Sequence, residues 1–197
     1  MSSGQRIRII GGSAKGRTVH SAPTDRVRPT PAGLREALAN MLRGQLAGKR
    51  VLDLYAGFGT VGLELLSQGA EVVVFVERDR RTADVLRRNV DELDFGEAAE
   101  VWTATAEGAL ERLARDGYGF DIIFADPPYN TGAAPRILEK IADHDLLDGP
   151  GLVLVQHSSH EPLPAAEGGL RRARERRSGD TVLSWYEPVP TPAEAAR

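Results

Sequence analysis

A chain of 197 residues, 41% of them hydrophobic, is long enough for one domain that buries a core without covalent staples. It has no cysteine, which excludes disulfides, thiolate metal sites and a cysteine nucleophile. The net charge of −3 conceals a segregation, with net +8 over residues 1–50, −13 over 51–170 and +2 over 171–197, so a basic N-terminal arm joined to an acidic body is expected to face phosphate.

The opening MSSGQRIRII lacks an apolar stretch with a small-residue cleavage site, and no run reaches the roughly 20 apolar residues that span a bilayer, so a cytoplasmic chain is expected. RIRII (6–10) and residues 17–20 flank a Gly-Gly pair and predict a hairpin. TDRVRPTP is too proline-rich for regular structure, whereas Leu34, Ala37, Leu38, Met41, Leu42 and Leu46 fall at helical spacing over 32–46. Strands are then predicted at 50–55, 71–77, 99–103, 121–125 and 151–156, with helices at 60–68, 79–93, 106–116 and 132–142 between them. Short buried strands alternating with helices imply a parallel, doubly wound α/β sheet. LRRARERR (170–177) and TVLSWYEP (181–188) read as an antiparallel hairpin at its edge, giving a seven-stranded Rossmann-like sheet. The expected division is a basic hairpin-and-helix extension at 1–48, a main domain at 49–190 and a frayed tail at 191–197.

The segment VLDLYAGFGTVG (51–62) leaves a buried strand, turns on glycines and enters a helix. Glycines admit a ligand close to the backbone, and the helix start behind them favours an anionic group. Gly57-x-Gly59-x-x-Gly62 followed by Glu77 also satisfies the dinucleotide fingerprint. Asp53 discriminates, because dinucleotide folds usually keep an apolar residue there, whereas an acid suits a ligand with a cationic amine and sulfonium, as S-adenosylmethionine has. Glu77 can hold both ribose hydroxyls in either reading.

DIIFADPPYN (121–130) carries an acid, two prolines and an aromatic off the end of a strand. An exocyclic amine on a base is a poor nucleophile because its lone pair is delocalised into the ring. Hydrogen bonds from its N–H groups to the Asp126 carboxylate and a stiff Pro127 carbonyl would let the nitrogen become tetrahedral and would stabilise its developing charge. Pro128 stiffens the same turn, and Tyr129 offers a stacking surface for the base. The absence of cysteine argues against carbon methylation of a pyrimidine through a thiolate adduct. Together, Asp126, Pro127, Pro128 and Tyr129 form the expected catalytic set.

With these residues in view, the chain resembles the class I methyltransferases carrying an N/D-P-P-Y/F motif, and more narrowly the RsmD family of 16S ribosomal RNA guanine-N2 methyltransferases. RIIGGSAKGR (8–17), RPT (28–30) with LREAL (34–38), residues 51–66 and DPPY (126–129) carry the likeness. The resemblance implies S-adenosylmethionine as cofactor, held around Asp53, Tyr55, Ala56, Gly57, Gly59, Thr60, Glu77 and Arg78 and bordered by Thr105, Ala106 and Asp126. It implies a guanine-966 type site in the small subunit or its assembly intermediate, gripped by the basic N-terminal segment. Phosphate candidates are Arg6, Arg8, Lys15, Arg17, Arg26 and Arg28, with Thr30 and Arg35 beside Arg28 where that segment should meet the active site. Two departures stand out: Ala32-Gly33 follow where the family usually has Asp-Arg, and Thr105-Ala106 stand where many relatives place Asp or Asn against the adenine.

Arg171, Arg172, Arg174, Arg176 and Arg177 form a basic strip expected to be a solvated edge strand, with alternation turning some toward the core side. His20, His144, His157 and His160 lack ligand spacing, so no metal is expected; Trp102 and Trp185 read as core or edge packing. A monomer without membrane contact is expected. The competing readings are methylation of adenine N6, cytosine N4 or a protein glutamine, a nicotinamide oxidoreductase, and a pure RNA-binding module. The chain offers no insertion for DNA target recognition and no second domain for hydride chemistry, and pure RNA binding leaves the glycine loop and DPPY unexplained.

Overall fold

A computed structural model describes residues 7–22 and 32–189. The sites expected at Arg6, Arg26, Arg28 and Thr30, and the tail from 191, lie outside the described residues. The backbone gathers into two units, Met1–Ala109 and Leu110–Arg197, and α4 (Ala106–Arg115) runs across the division.

The first unit opens with a hairpin of β1 (Ile7–Arg8) and β2 (Thr18–Val19), Ile7 standing opposite Val19. After α1 (Ala32–Leu42) come β3 (Arg50–Leu54), α2 (Gly62–Ser67), β4 (Val72–Glu77), α3 (Arg80–Glu92) and β5 (Ala99–Thr103). β3, β4 and β5 pair in parallel in the spatial order β5-β4-β3, half of a doubly wound sheet. Both faces of β3 and β4 are buried, which is why they read as unbroken apolar runs. On α3, Thr82, Ala83, Leu86, Asn89 and Val90 are buried at helical spacing, and the Asp79 carboxylate caps the helix by accepting from Thr82 N at 2.9 Å.

The N-terminal hairpin is bound into this unit. Glu64 of α2, itself buried, accepts from Ile10 N at 2.7 Å and Gly11 N at 2.9 Å. Ser67 Oγ accepts from Ala14 N and donates to Gly11 O. Gly12 has φ +76°, and a Cβ there would lie 1.6 Å from the Ser67 carbonyl oxygen, so only glycine lets the hairpin approach α2 this closely. At the other end, Asn89 accepts from His20 N at 2.8 Å and donates to His20 O at 2.9 Å.

The second unit contains β6 (Phe120–Ala125), α5 (Ala133–Asp143), β7 (Leu147–Ser158), β8 (Ala166–Glu167), β9 (Leu170–Ser178) and β10 (Thr181–Pro188). β6 and β7 are parallel, and β10, β9 and β8 follow antiparallel in the order β6-β7-β10-β9-β8. The fold class is therefore α/β, mostly parallel, with a C-terminal antiparallel hairpin as expected. All seven strands predicted after residue 49 are present. β8 is an eighth, two residues long and too short to leave a periodic signal. β7 begins at Leu147 rather than 151, because Phe120 pairs with Leu147 across an irregularity that the Asp-Gly-Pro-Gly stretch reads as a turn. The helix from residue 32 stops at Leu42, before an Arg43-Gly44 turn. Among the described residues no helix is long and apolar enough to cross a membrane.

Candidate active site

In the first unit the chain leaves β3 through Tyr55, which takes φ 60°. A non-glycine residue held left-handed stores roughly 1–2 kcal/mol of strain, the kind of outlier found at ligand clamps. Gly57 and Gly59 follow with φ of 56° and 82°, and a Cβ on Gly59 would also meet Leu86 at 2.2 Å. Two carboxylates shape the loop. Asp53 Oδ2 accepts from Gly62 N at 3.0 Å, tying the strand to the first residue of α2. Glu77, at the carboxyl end of β4, accepts from Gly57 N at 3.0 Å through Oε2 and from Asp79 N at 2.7 Å through Oε1. Asp53 is 1% exposed and Glu77 8%, so both acids are organised by backbone amides before any ligand arrives, a preorganisation that spares entropy on binding. Asn89 adds a third support by donating to Phe58 O at 3.0 Å.

The other expected cofactor residues take mixed positions. Ala56 and Thr60 are buried within the loop, while Arg78 is exposed beyond β4. Thr105 Oγ1 accepts from Gly108 N at 3.2 Å and so caps α4, with Ala106 buried behind it. In that cap the hydroxyl accepts one hydrogen bond and keeps its own O–H as a donor.

In the second unit β6 ends at Ala125 and delivers Asp126-Pro-Pro-Tyr129. Pro127 is buried and Pro128 exposed, with Asp126 and Tyr129 between these extremes. Gln156 of β7 donates through Nε2 to Asp126 Oδ1 at 2.8 Å and to Tyr129 Oη at 2.7 Å. One amide thus fixes both polar groups of the motif. Gln156 is 1% exposed, and its Oε1 is a buried acceptor without a hydrogen-bond partner. An unsatisfied acceptor costs about 1–3 kcal/mol, so keeping a glutamine in this apolar strand makes sense for what its nitrogen does.

The turn beyond the motif is also held from a distance. Thr131 Oγ1 donates to Pro128 O at 2.8 Å. Glu161 accepts from Asn130 N at 3.2 Å and from Gly132 N at 2.5 Å, and Asn130 takes φ 56°. Neighbouring His157 has Nδ1 3.0 Å from the carbonyl oxygens of Ser158 and Glu161 and Nε2 2.9 Å from Ser184 Oγ, which places its proton on Nδ1. Gln156, Glu161, Asn89 and Glu64 escaped the sequence reading. Each is a polar residue inside an apolar or helical pattern, a signal of burial with a partner, but the partners lie 27 to 69 residues away.

The basic candidates divide. Arg8 and Lys15 are exposed on the hairpin. Arg17 turns onto the end of α3, where it donates to Glu92 O, to Leu93 O at 3.3 Å and to Asp94 Oδ2 at 2.8 Å. Those carbonyls are the unpaired terminus of the helix, so Arg17 serves as its cap. Arg35 is 6% exposed and donates to Arg8 O at 3.4 Å, with Nε unpartnered. Burial pushes its guanidinium below the usual range while the Glu64 charge opposes that shift. Of the strip at 171–177 only Arg172 is half-buried and the others are exposed, so alternation does not turn several arginines toward a core. Trp185 is buried, and Trp102 is half-buried on β5 with Nε1 donating to Glu100 at 3.2 Å. Among the described residues no three His, Asp or Glu side chains cluster as a metal site.

Residues 7–187 match the family described as Conserved hypothetical protein 95. The chain is 34% identical over 181 residues to "Putative rRNA methyltransferase YlbH" of Bacillus subtilis, covering 92% of this chain and 98% of the relative. It is 32% identical over 185 residues to "Ribosomal RNA small subunit methyltransferase D" of Escherichia coli K12, covering 94% and 91%. Among solved structures, "Putative methyltransferase yhhF" from Escherichia coli superposes with a TM-score of 0.80 at 28% identity, covering 93% and 98%.

Proposed function

Since the chain belongs to the RsmD family, described as Conserved hypothetical protein 95, we propose that it transfers a methyl group from S-adenosylmethionine to the exocyclic N2 amine of a guanine in 16S ribosomal RNA, at a guanine-966 type site of the small subunit or its assembly intermediate. The observation that carries this reading is the Gln156 amide bound at once to Asp126 and Tyr129. It presents Asp126 as an acceptor beside an aromatic ring, the pair an amino-bearing base requires.

The glycine loop supports the choice of cofactor. Buried carboxylates at the ends of β3 and β4 supply acceptors suited to a cationic amine and to ribose hydroxyls, and an oxygen holding one loop amide retains a second lone pair. When bound, S-adenosylmethionine supplies a methyl group on a sulfonium, electrophilic without further activation. The chain's own residues do the rest. Asp126 and the Pro127 carbonyl accept the amine hydrogens and release the nitrogen lone pair from the ring. Tyr129, oriented by Gln156, stacks on the base. Developing positive charge on nitrogen meets the Asp126 carboxylate, which would accept the proton that the methylated nitrogen sheds and pass it to solvent, and orientation lowers the remaining barrier. Arg8 and Lys15 contribute phosphate contacts from the hairpin.

Tritiated methyl transfer to small subunits, followed by nucleoside digestion, tests this reading. Label recovered as N2-methylguanosine is the expected result. Asp126→Ala should abolish turnover while calorimetric affinity for S-adenosylmethionine stays within a few-fold. Loss of both together would remove Asp126 from the proposed role. Cofactor binding without label on subunits, naked RNA or DNA would redirect the reading to a protein substrate.

A further inference from the structure

Five arginines on β9 have no part in the chemistry above, and the strand's register sorts them. β9 pairs with β10 from Leu170 opposite Pro188 to Ser178 opposite Thr181, with a shift at the Trp185–Tyr186 step that leaves Ala173 as an extra residue. Directly opposed residues in an antiparallel pair point to one face, and an extra residue resets the alternation. Arg172, Glu175 and Arg177 therefore share a face with Tyr186, Ser184 and Val182. Arg171, Arg174 and Arg176 share the other with Glu187, Trp185 and Leu183.

The two faces differ chemically. On the first, Arg172 Nη1 lies 3.1 Å from Glu175 Oε2 and donates to Leu163 O at 3.1 Å, while Arg177 donates to Gly179 O and Ser159 Oγ. On the second, three exposed guanidinium groups stand at alternate register positions, about 7 Å apart, with Glu187 of β10 opposite Arg171 as the one acid on that side of the pair. β8 pairs with β9 at Leu170 and Arg171, and Arg172 N donates to Ala165 O at 2.8 Å, so the row runs from the covered start of the strand onto the stretch that β8 does not reach.

We propose that the Arg171–Arg174–Arg176 face of β9 binds the phosphodiester backbone of RNA, a second phosphate-contact surface besides the N-terminal hairpin. This rests on the methyltransferase reading above for the identity of the RNA. A row of planar, permanently charged forks matches phosphate oxygens, and such contacts set register and affinity rather than sequence choice. Guarding an open edge against strand pairing is the competing use of charge, but either sign serves it, and it gives no reason for five of the strand's six charged residues to be arginine.

Charge reversal separates the two uses, because R171E/R174E/R176E keeps the edge charged while inverting its attraction. Binding of 16S ribosomal RNA is titrated across salt for the full-length chain, for this variant, for R171K/R174K/R176K, and for R112E/R115E/R136E, which makes the same change in net charge on α4 and α5. The β9 reversal should weaken binding roughly tenfold or more and flatten the salt slope by about two to three. The Lys variant should keep the slope, the α4/α5 reversal should keep most of it, and calorimetric binding of S-adenosylmethionine should be unchanged in all three. A slope untouched by the β9 reversal, in a chain that still methylates RNA, overturns the surface and leaves the activity standing. Unchanged RNA titration with weakened binding of polyglutamate would assign the face to an acidic polypeptide and overturn it as well. A wild-type chain that binds no RNA and labels none sinks the methyltransferase reading first, and this surface with it.

Discussion

Gln156 does two things that pull apart on mutation. Its nitrogen holds Asp126 and Tyr129, and its oxygen is buried without a partner. Gln156→Leu removes the unsatisfied acceptor, so chemical denaturation should show stability within about 1 kcal/mol of wild type. The same change removes one hold shared by both site residues, and kcat should fall about tenfold or more at nearly constant cofactor affinity, since placement errors near 1 Å cost rate steeply. A large stability loss with normal kcat would make the glutamine a packing residue. Tyr186 offers a pH test. Burial raises its phenol to about 12, against an opposing Arg172 charge, and its hydroxyl donates to Pro164 O at 2.6 Å. The fold favours the protonated phenol, so this stability is complete below pH 10, where the unfolded side chain is also neutral. It drains as pH rises from 10 toward 12, by about 3 kcal/mol. Urea midpoints at pH 9 and 11.5 should converge more in Tyr186→Phe than in wild type.

At the scale of elements, Asn89 shows how a helix positions two things it does not contain. From α3 it pairs with both backbone groups of His20 and donates to Phe58 O inside the glycine loop. Asn89→Ala leaves the buried Phe58 carbonyl and the part-buried backbone groups of His20 without this partner, and a loss of about 2–4 kcal/mol is expected by denaturation. Weaker binding of S-adenosylmethionine should accompany it, because Phe58 lies between the two left-handed glycines. Most elements were legible in the sequence for one reason: β3, β4, β6 and β7 are buried on both faces and advertise this as apolar runs. Ends were less legible. β7 starts early across an irregular pairing, and β8 is held by two residues of β9, facts of pairing that no local pattern records.

For the whole molecule, the motifs were legible while their supports stayed hidden. Asp53, Gly57, Glu77 and Asp126–Tyr129 could be placed at the ends of strands from sequence, because acids, glycines and prolines interrupt apolar runs there. Gln156, Glu161 and Glu64 were not legible, since their meaning depends on which distant backbone they meet. Charge counting overestimated the arm, because Arg17 caps α3 and Arg35 is buried. It underestimated the far end, where net +2 hides an ordered row of cations. The extra residue at Ala173 carries a consequence for descent. Dropping Ala173 alone preserves each pair between Leu170 and Ser178 and keeps every arginine on its present side. Inserting one residue between Arg174 and Arg176 would instead split the row across the sheet. A descendant chain lacking Ala173 should therefore keep the RNA affinity and salt slope of this one, whereas one lengthened between Arg174 and Arg176 should lose part of both.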